Sequence, residues 1–498
     1  MKDISKNFVL SILCKIVLMI TGFTVQRAIL HEFGSDINGL TTTVSQILSY
    51  MSLLEAGLGM ASIQALYKPL AQNDKNGINS ILSASNSQYV KTGMMFLVGL
   101  IGASFLVPLI VTGDIPVIVM GILTFLIGCS NVVSYIFMGK YTVLLTADKK
   151  LYAINTADIT ATILSCFFRL LAIRFIGEII IVQVVQLASI VLKVLLIRIY
   201  VKKKYPWVSY KVNPNYQAIS KRWSVLIHNI ASMIVNHTAV IILSITETLK
   251  MVSVYGVYNY VVSNIYALMN AGFCQAPVAI FGRWYQQDRK KFAQYYDIFH
   301  GIFDAILNSV LFTTLVMMLP FVEIYTSGIQ DVDYMDPLLA ILFVITAYMN
   351  IVRLPSIMAI NAVGAFKETQ KGAIIEAIIN LGASLALAVK FGIYGLLMGG
   401  IVSYCFRTID LIYYADTKVV GRSIIAHFIK ISINVFCGIG VSLILVPLTA
   451  DSGRSWISWI QSAFGVFIVM AIIFIVLNGL INFKAMKQGV LSHKKNKT

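Results

Sequence analysis

Apolar stretches of about 20 residues recur along the whole chain, separated by short polar segments that carry most of its Lys and Arg. A stretch of this length crosses a bilayer as an α-helix, in which every backbone polar group finds a partner within the helix. We therefore predict an all-α polytopic membrane protein with about 14 transmembrane helices. Their predicted bounds are about 7–30, 39–66, 89–111, 116–139, 151–175, 178–201, 224–247, 252–281, 295–319, 337–362, 372–391, 393–415, 426–449 and 456–481.

The composition supports a membrane protein and argues against a nucleic-acid partner. The chain is 58% hydrophobic and 12% charged, whereas soluble domains are about 25% charged. Its net charge of +17 is spread over short loops rather than gathered on one polar domain, which indicates membrane orientation. The six cysteines lie in apolar stretches without a CxxC pair, so we predict no disulfide, no metal site and no cofactor.

Lys and Arg are divided very unequally between alternate loops, and this division predicts the orientation. One set of loops, which includes both termini and the segment 198–222, holds 28 of the 39 basic residues. The opposite set holds four, namely Arg174, Lys250, Lys390 and Arg454. Because basic loops stay in the cytoplasm, we predict that both termini are cytoplasmic.

Weak internal similarity indicates two repeated halves. Three matches at shifts of 215 to 218 residues pair 56–63 with 271–278, 173–177 with 389–392, and Asp158 with Glu376. Repeats of this kind are typical of transporters in which two lobes move about a central cavity. We predict an N-terminal six-helix lobe (1–201), a basic cytoplasmic linker (202–223) and a C-terminal six-helix lobe (224–415). Two further helices and a basic tail follow (416–498).

Two six-helix lobes with two extra helices resemble the superfamily of multidrug and toxin extrusion transporters, lipid II flippases and polysaccharide repeat-unit flippases. The segments LLEAGLGMASIQALYKPLAQND (53–74), VSVYGVYNYVVSNIYALMNAGF (252–273) and NLGASLALAVKFGIYGLLMGGIVSY (380–404) are most similar to the last branch, which serves O-antigen and capsule synthesis. The resemblance implies a bacterial cytoplasmic-membrane flippase, not an enzyme, that moves undecaprenyl-diphosphate-linked oligosaccharide to the outer leaflet by alternating access. It also implies a cationic cavity. Expected partners are the lipid-linked oligosaccharide, membrane lipid, and polysaccharide polymerase and assembly proteins.

Basic residues inside predicted spans are the first candidates for substrate contacts, because a charge near the bilayer centre costs about 2.5–3.5 kcal/mol or more. Arg353 either binds the diphosphate or forms an ion pair with a neighbouring helix. Lys15 lies on a polar stripe that either lines a cavity or packs helices together. Arg27 matches the family pattern but could also reach the membrane surface, and Arg407 either binds substrate or pairs locally with Asp410.

Polar residues in two further spans complete the candidate site. Glu55, which also matches the family pattern, either couples transport to a proton or sodium gradient or pairs with a cation such as Arg27 or Lys15. Asn229 and Asn236 share one face of the predicted span 224–247 and either bind sugar hydroxyls or bond to other helices. His228 and His237 in the same span are nine residues apart, which is too far for one metal ion to be bound without bending the helix.

Other functions remain open on sequence grounds. A lipid II-type flippase, or a multidrug or cation antiporter of the same fold, is the main alternative, although a pump for cations should favour acids in its spans. A polytopic polymerase or glycosyltransferase is more remote. It is suggested by Asp331 and Asp333, which resemble a metal–nucleotide-sugar motif but lie in a loop predicted to face outward.

Overall fold

The computed structural model describes the backbone of residues 2–55, 58–275 and 277–482, and the side chains in these ranges except those of residues 2–6, 8, 9, 54, 220–232 and 451. Every regular element in the described residues is a helix. The α-helices are α1 (Lys2–Met51), α2 (Leu58–Ala71), α3 (Lys75–Ile110), α4 (Val117–Val133), α5 (Gly139–Ala147), α6 (Leu151–Phe175), α7 (Ile179–Lys204), α8 (Trp223–Thr246), α9 (Leu249–Met269), α10 (Val278–Gln287), α11 (Arg289–Tyr325), α12 (Pro337–Val352), α13 (Leu354–Val363), α14 (Phe366–Tyr414), α15 (Ile424–Leu448) and α16 (Trp456–Ile481).

The all-α membrane class predicted from the sequence is confirmed, and the number of 14 spans stays a prediction. In the described residues, 11 helical segments are long and apolar enough to cross a membrane. Two of the longest helices, α1 and α14, each cover parts of two predicted spans. Each contains one non-helical residue, Gly34 (φ 78°) or Gly392 (φ 56°), at a predicted loop. Glycine adopts a positive φ without the steric cost that a Cβ imposes, so one residue suffices to interrupt the helix.

Two predicted spans that contain candidate site residues are interrupted inside the structure. The predicted span 39–66 is divided between α1 and α2 by a tight turn at Ser52–Glu55. The predicted span 337–362 is divided between α12 and α13 at Arg353, two residues before Pro355. Because a proline lacks an N–H group and its ring clashes with the preceding turn, the helix is broken at this point.

The chain folds into two compact units. Unit 1 comprises Met1–Ser253 and Gly328–Val332, and unit 2 comprises Val254–Ser327 and Asp333–Thr498. These units are defined by contacts between residues, whereas the lobes predicted above are defined by the repeat, so the predicted lobes stay a prediction.

In unit 1, α1 packs against α6 and α8, α3 against α4, and α7 against α4 and α6. Fully buried side chains, including Leu40, Phe96 and Leu100, fill the space between these helices. The Asn38 side-chain amide donates a 2.7 Å hydrogen bond to the Ser253 hydroxyl, and both side chains are buried. These two residues are 215 positions apart, the same interval that separates matching segments of the repeat.

Residues 205–222, which lie within the predicted linker 202–223, pack against the rest of unit 1. The Ser83 hydroxyl in α3 donates to the carbonyl oxygen of Val212 at 2.8 Å. Tyr205 is buried, and its hydroxyl donates to the Asp148 carboxylate. Burial and this hydrogen bond raise the pKa of Tyr205, which therefore stays a neutral donor at physiological pH. The segment is thus held to unit 1 by specific contacts.

In unit 2, α11 is the central helix and packs against α12, α15 and α16, while α12 packs against α14 and α10 against α13. Aromatic side chains fill much of its interior: Phe303, Phe343 and Phe474 are almost fully buried, and Phe312 stacks on Phe474 with ring centroids 5.8 Å apart. Two of the basic candidates, Arg353 and Arg407, belong to this unit.

Close packing of the two parts of α14 depends on small residues. A Cβ added at Gly399 would lie 2.4 Å from the Ser384 backbone nitrogen, whereas one added at Gly400 would meet nothing within 4 Å. We expect Gly399→Ala to lower the free energy of unfolding by about 1–3 kcal/mol, because backbone atoms cannot move aside. SDS-induced unfolding of the purified protein measures this change. Gly400→Ala is the matched control, and an equal effect of both substitutions would contradict the packing role of Gly399.

Candidate functional site

A buried carboxylate in unit 2, Glu376, holds two arginines that the sequence singled out. Arg353 lies at the break between α12 and α13, and its Nη1 is 2.6 Å from Glu376 Oε1. The Nε of Arg407 is 3.5 Å from the other oxygen, Oε2. All three residues are buried, with 7–8% of their surface exposed. The structure therefore brings Arg353 and Arg407 together on one acid.

Further contacts fix the two guanidinium groups. Arg353 donates through Nη2 to the Asn350 side-chain oxygen at 2.7 Å and lies 5.0 Å from the ring centre of Tyr404. Arg407 donates to the carbonyl oxygen of Thr369 at 3.1 Å and pairs at 2.5 Å with Asp410 one turn along α14. Both ion pairs considered from the sequence, one between helices and one local, are present.

The arrangement leaves Arg353 with unused binding capacity. Its Nε is buried and has no hydrogen-bond partner among the described residues. Guanidinium groups bind the oxygens of phosphate and carboxylate through the same paired N–H groups. A diphosphate that reached this cluster would therefore compete with Glu376 for Arg353, and Arg407 would still hold the displaced carboxylate.

Unit 1 contains a corresponding acid–base pair. Asp158 in α6 is in contact with Lys193 in α7. In the repeat, Asp158 corresponds to Glu376, and Lys193 lies 214 positions before Arg407, almost the same shift. The sequence identified both acids as repeat counterparts, whereas Lys193 was not among the candidate site residues. An acid–base pair between two predicted spans is thus present in each of the two predicted repeats.

Lys15 and Arg27 lie on α1 in unit 1. Lys15 is exposed, and no acidic side chain among the described residues lies within 4.0 Å of its amine. Arg27 is half-buried three turns further along the helix. Part of the polar stripe next to Lys15 is used for packing, because Asn155 in α6 donates to the Ser11 hydroxyl at 2.8 Å. The charge of Lys15 is therefore not neutralised by an acidic side chain among the described residues.

Because Lys15 lies within a predicted span and has no acidic partner among the described residues, we expect it to contribute measurably to transport of an anion. We expect Lys15→Met to reduce transport of an anionic substrate at least about tenfold, since a charged hydrogen bond contributes about 1.5–3 kcal/mol. Transport into proteoliposomes, normalised to protein content, measures the effect. Lys15→Arg keeps the charge and should retain most activity, and full activity of Lys15→Met would remove Lys15 from the site.

Glu55 lies in the turn between α1 and α2 and is half-buried. The Tyr89 hydroxyl in α3 donates to its Oε1 at 2.9 Å. Among the described side chains, no cation lies within 4.0 Å of Glu55, so the pairing with Lys15 or Arg27 considered from the sequence is not formed in this structure. A carboxylate held by one neutral donor can gain or release a proton or bind a small cation.

Glu55→Gln is expected to remove or alter the dependence of transport on a proton or sodium gradient, because glutamine keeps the shape but cannot ionise. Transport into proteoliposomes with imposed pH or sodium gradients measures this dependence. Tyr89→Phe is the matched control, since it removes the hydrogen bond and keeps the carboxylate, and it should leave the dependence in place. An unchanged dependence in Glu55→Gln would assign Glu55 a packing role.

The polar face of α8 is only partly described. Asn236 is exposed, whereas Asn229 and His228 lie among residues 220–232, whose side chains are outside the described part of the structure. His237 Nδ1 forms a hydrogen bond with the Gln46 side-chain oxygen in α1. For His237, the interhelical hydrogen bond considered from the sequence is thus present.

A second buried polar cluster in unit 2 was missed by sequence reasoning. His300 Nδ1 is 2.9 Å from Asp304 Oδ2, and His427 Nδ1 is 2.7 Å from Asp416 Oδ2. The two imidazole rings are 4.5 Å apart, and neither Nε2 has a partner among the described residues. Arg422 also pairs with Asp416 at 2.9 Å. Buried nitrogens of this kind can accept a proton, and the i,i+4 spacing of His300 and Asp304 is the available sequence signal.

The acidic loop that suggested a glycosyltransferase is used for local structure. In unit 1, both oxygens of Asp331 accept hydrogen bonds from Ser35, at 2.8 Å from its backbone nitrogen and 2.7 Å from its hydroxyl. In unit 2, Asp333 accepts a hydrogen bond from the Met335 backbone at 2.8 Å. The described residues contain no group of three or more His, Cys, Asp or Glu residues placed to hold a metal ion.

Comparison with solved structures shows the fold. The lipid II flippase MurJ in an inward closed conformation superimposes with a TM-score of 0.70 and 14% identity, over 94% of this chain and 98% of MurJ. An inward-facing multidrug resistance MATE transporter of the MOP superfamily gives 0.64 and 14% identity, over 81% of this chain and 94% of that transporter. A MOP superfamily transporter from Pyrococcus furiosus, described as having a binding pocket of reversed polarity, gives 0.55 and 12% identity, over 83% and 95%.

No protein-family model and no curated protein sequence matches the chain. At 12–14% identity, the structural likeness shows the fold alone. The chain is thus a multi-pass membrane protein with the fold of the MurJ and MATE transporters.

Proposed function

We propose that the chain is a flippase that moves undecaprenyl-diphosphate-linked oligosaccharide repeat units from the inner to the outer leaflet of a bacterial cytoplasmic membrane, for assembly of surface polysaccharide. The observation that carries this function is the extent of the structural match. MurJ aligns with 94% of this chain, whereas the multidrug MATE transporter aligns with 81%. The flippase also has the higher TM-score, 0.70 against 0.64. The chain is thus more similar to the lipid-linked-substrate transporter in both measures.

The charges inside the spans support an anionic substrate. Lys15 has no acid within 4.0 Å among the described side chains, and Arg353 keeps a buried Nε without a partner. A diphosphate supplies the oxygens that such groups bind. Arg27, Arg407, Asn229 and Asn236 complete the proposed substrate-binding set, in which the bases bind the diphosphate and the amides bind sugar hydroxyls. The sequence resemblance to repeat-unit flippases supports an oligosaccharide headgroup.

The proposed mechanism is alternating access powered by a proton or sodium gradient, with Glu55 as the coupling residue. Glu55 supports this role because its carboxylate is half-buried and is bound by the neutral Tyr89 hydroxyl rather than by a cation. Membrane lipid surrounds the protein, and the polymerase and assembly proteins that use the translocated unit are its proposed partners.

A multidrug or cation antiporter is the second candidate, favoured by the MATE likeness and by the half-buried carboxylate of Glu55. A lipid II-type flippase is the third, favoured by the MurJ likeness. The three functions differ in which molecule accumulates when transport stops: a lipid-linked repeat unit, a cationic compound, or lipid II.

Depletion of the protein in its native cell tests the proposed function. We expect undecaprenyl-diphosphate-linked repeat units to accumulate on the inner leaflet and surface polysaccharide to disappear. Mass spectrometry of extracted lipids identifies the intermediate, and a membrane-impermeant glycosidase or lectin reports its leaflet. Re-expression of the wild-type chain is the positive control, and Gly400→Ala, which meets no neighbour within 4 Å, is the neutral variant.

Each alternative predicts a different result in the same experiment. Normal appearance of repeat units on the outer leaflet would overturn the proposed function. Accumulation of lipid II would assign the chain to peptidoglycan synthesis, and increased sensitivity to cationic drugs with normal polysaccharide would favour an antiporter.

A further inference from the structure

We propose that unit 1 binds the phosphate of an anionic glycerophospholipid in a cavity between α4, α5 and α7, with Lys140 and Arg198 as the phosphate-binding side chains. The cavity has a volume of about 430 Å³. Lys140 is in the first turn of α5 and Arg198 in the last third of α7, and both line this cavity. Its other walls are Tyr141 and apolar side chains. This lipid site is separate from the substrate site proposed above and does not depend on that function.

The charges of the cavity are unbalanced. Lys140 and Arg198 are its only charged lining residues, and neither forms an ion pair within 4.0 Å with an acidic side chain among the described residues. Two like charges that face one space repel each other, and the repulsion is stronger where burial lowers the local dielectric constant. An anion between them converts this repulsion into attraction.

The local sequence explains how Lys140 is held at the cavity. A π-helical turn at Ser134–Met138 separates α4 from α5 and displaces the following residues relative to a continuous α-helix. Gly139 permits a close approach, because a Cβ there would lie 2.5 Å from the Tyr89 ring. The Lys140 amine then lies 4.8 Å from the ring centre of Tyr210 and 5.4 Å from that of Tyr141.

The Tyr210 ring is suited to holding a cation next to an anion. It belongs to the segment 205–222, and burial raises the pKa of its hydroxyl, so the ring stays a neutral phenol whose face attracts Lys140. The same hydroxyl is buried and has no hydrogen-bond partner among the described residues. Lys140 is therefore fixed by two aromatic faces and keeps its N–H groups available for phosphate.

The surroundings of the two bases favour a phospholipid over a free anion. Phe137, Val191 and Leu195 also line the cavity and are exposed, so they form an apolar wall next to the bases. The predicted spans 116–139 and 178–201 end beside Lys140 and Arg198, on the side where Lys and Arg are concentrated. Phosphate headgroups lie at this depth on the cytoplasmic side, and basic pockets between helices bind anionic headgroups there.

Titration of the purified full-length protein with phosphatidylglycerol tests this site. Native mass spectrometry counts the lipids that remain bound. We expect the variant Lys140→Ala/Arg198→Ala to bind the most tightly held phosphatidylglycerol about 30-fold more weakly than the wild type. Each base near the membrane surface contributes about 1 kcal/mol to the binding of an anionic lipid, and the loss of two bases therefore corresponds to about 30-fold. The matched control is Lys203→Ala/Lys204→Ala, which removes two exposed charges from the end of the same helix, away from the cavity, and should bind like the wild type.

Three outcomes overturn the proposed lipid site. The first is unchanged phosphatidylglycerol binding by the Lys140/Arg198 variant with an unchanged unfolding midpoint. The second is equal weakening by the control. The third is binding of inorganic phosphate or undecaprenyl diphosphate, but not phosphatidylglycerol, that depends on these bases. Two further variants support the site. Lys140→Arg/Arg198→Lys keeps both charges and should retain phosphatidylglycerol binding, whereas Leu195→Ser should fold normally and bind phosphatidylglycerol more weakly. These results exclude loss of folding as the cause.

Discussion

Glu376→Gln is expected to lower the free energy of unfolding by about 3–5 kcal/mol and to abolish transport, because removal of one partner leaves buried charges unpaired. A glutamine there still accepts a hydrogen bond from Arg353, but the guanidinium would have no acidic side chain within 4.0 Å among the described residues, in a site where 7% of its surface is exposed. Arg407 would keep Asp410. The effect should therefore come mainly from Arg353.

SDS-induced unfolding and the yield of monodisperse protein measure the loss of stability, and transport into proteoliposomes measures activity. Asp410→Asn is the matched control. Its side chain is 37% exposed and also pairs with Arg407, so its removal should cost no more than about 1 kcal/mol. Wild-type stability of Glu376→Gln would show that the arginines find other partners and that Glu376 does not hold the cluster together.

The membrane class and helical fold were predictable because the bilayer sets the length and composition of a span. Short interruptions were harder to predict. The break at Arg353 has a local cause in Pro355, two residues later in the chain. The turn at Ser52–Glu55 has no such signal, since hydropathy over a span-length window is insensitive to four residues. Glu55 was therefore expected in the middle of a helix and lies in a turn.

The charged residues of the site were found from the sequence, whereas most of their partners were not. Arg407 and Asp410 are three residues apart on one helix, so their pairing follows from helical geometry alone. The pairing of Arg353 with Glu376 joins different helices, and it depends on how α12, α13 and α14 pack and rotate against each other. Without an alignment of related sequences, a single chain contains no signal for that rotation.

The same limit applies to Lys193 and Lys140. Neither residue was among the candidate site residues predicted from the sequence. In the structure Lys193 contacts Asp158, whereas Lys140 lines a cavity with a second base and no acid. Whether a base is neutralised or available for a ligand is decided by its neighbours in the folded chain.

The variant Arg353→Met/Glu376→Met is expected to regain most of the stability that Glu376→Gln loses and still to show no transport. Replacing both partners of a buried ion pair with apolar residues of similar volume is often neutral or stabilising by about 1–4 kcal/mol. Loss of transport in a stable protein would then be due to loss of the Arg353 guanidinium, which we propose binds the diphosphate. The matched control is Asp158→Met/Lys193→Met, which removes an acid–base pair between two helices of unit 1 and should keep transport.

This comparison distinguishes the two roles considered for Arg353. A structural ion pair requires only that its charges be present together or absent together, so a purely structural role predicts that the double variant transports like the wild type. A diphosphate contact requires the guanidinium itself, so Arg353→Met/Glu376→Met should resemble Arg353→Ala in transport and the wild type in unfolding. Wild-type transport by the double variant would therefore remove Arg353 from the substrate site. Lys15 would remain as a candidate base that has no acidic side chain within 4.0 Å among the described residues.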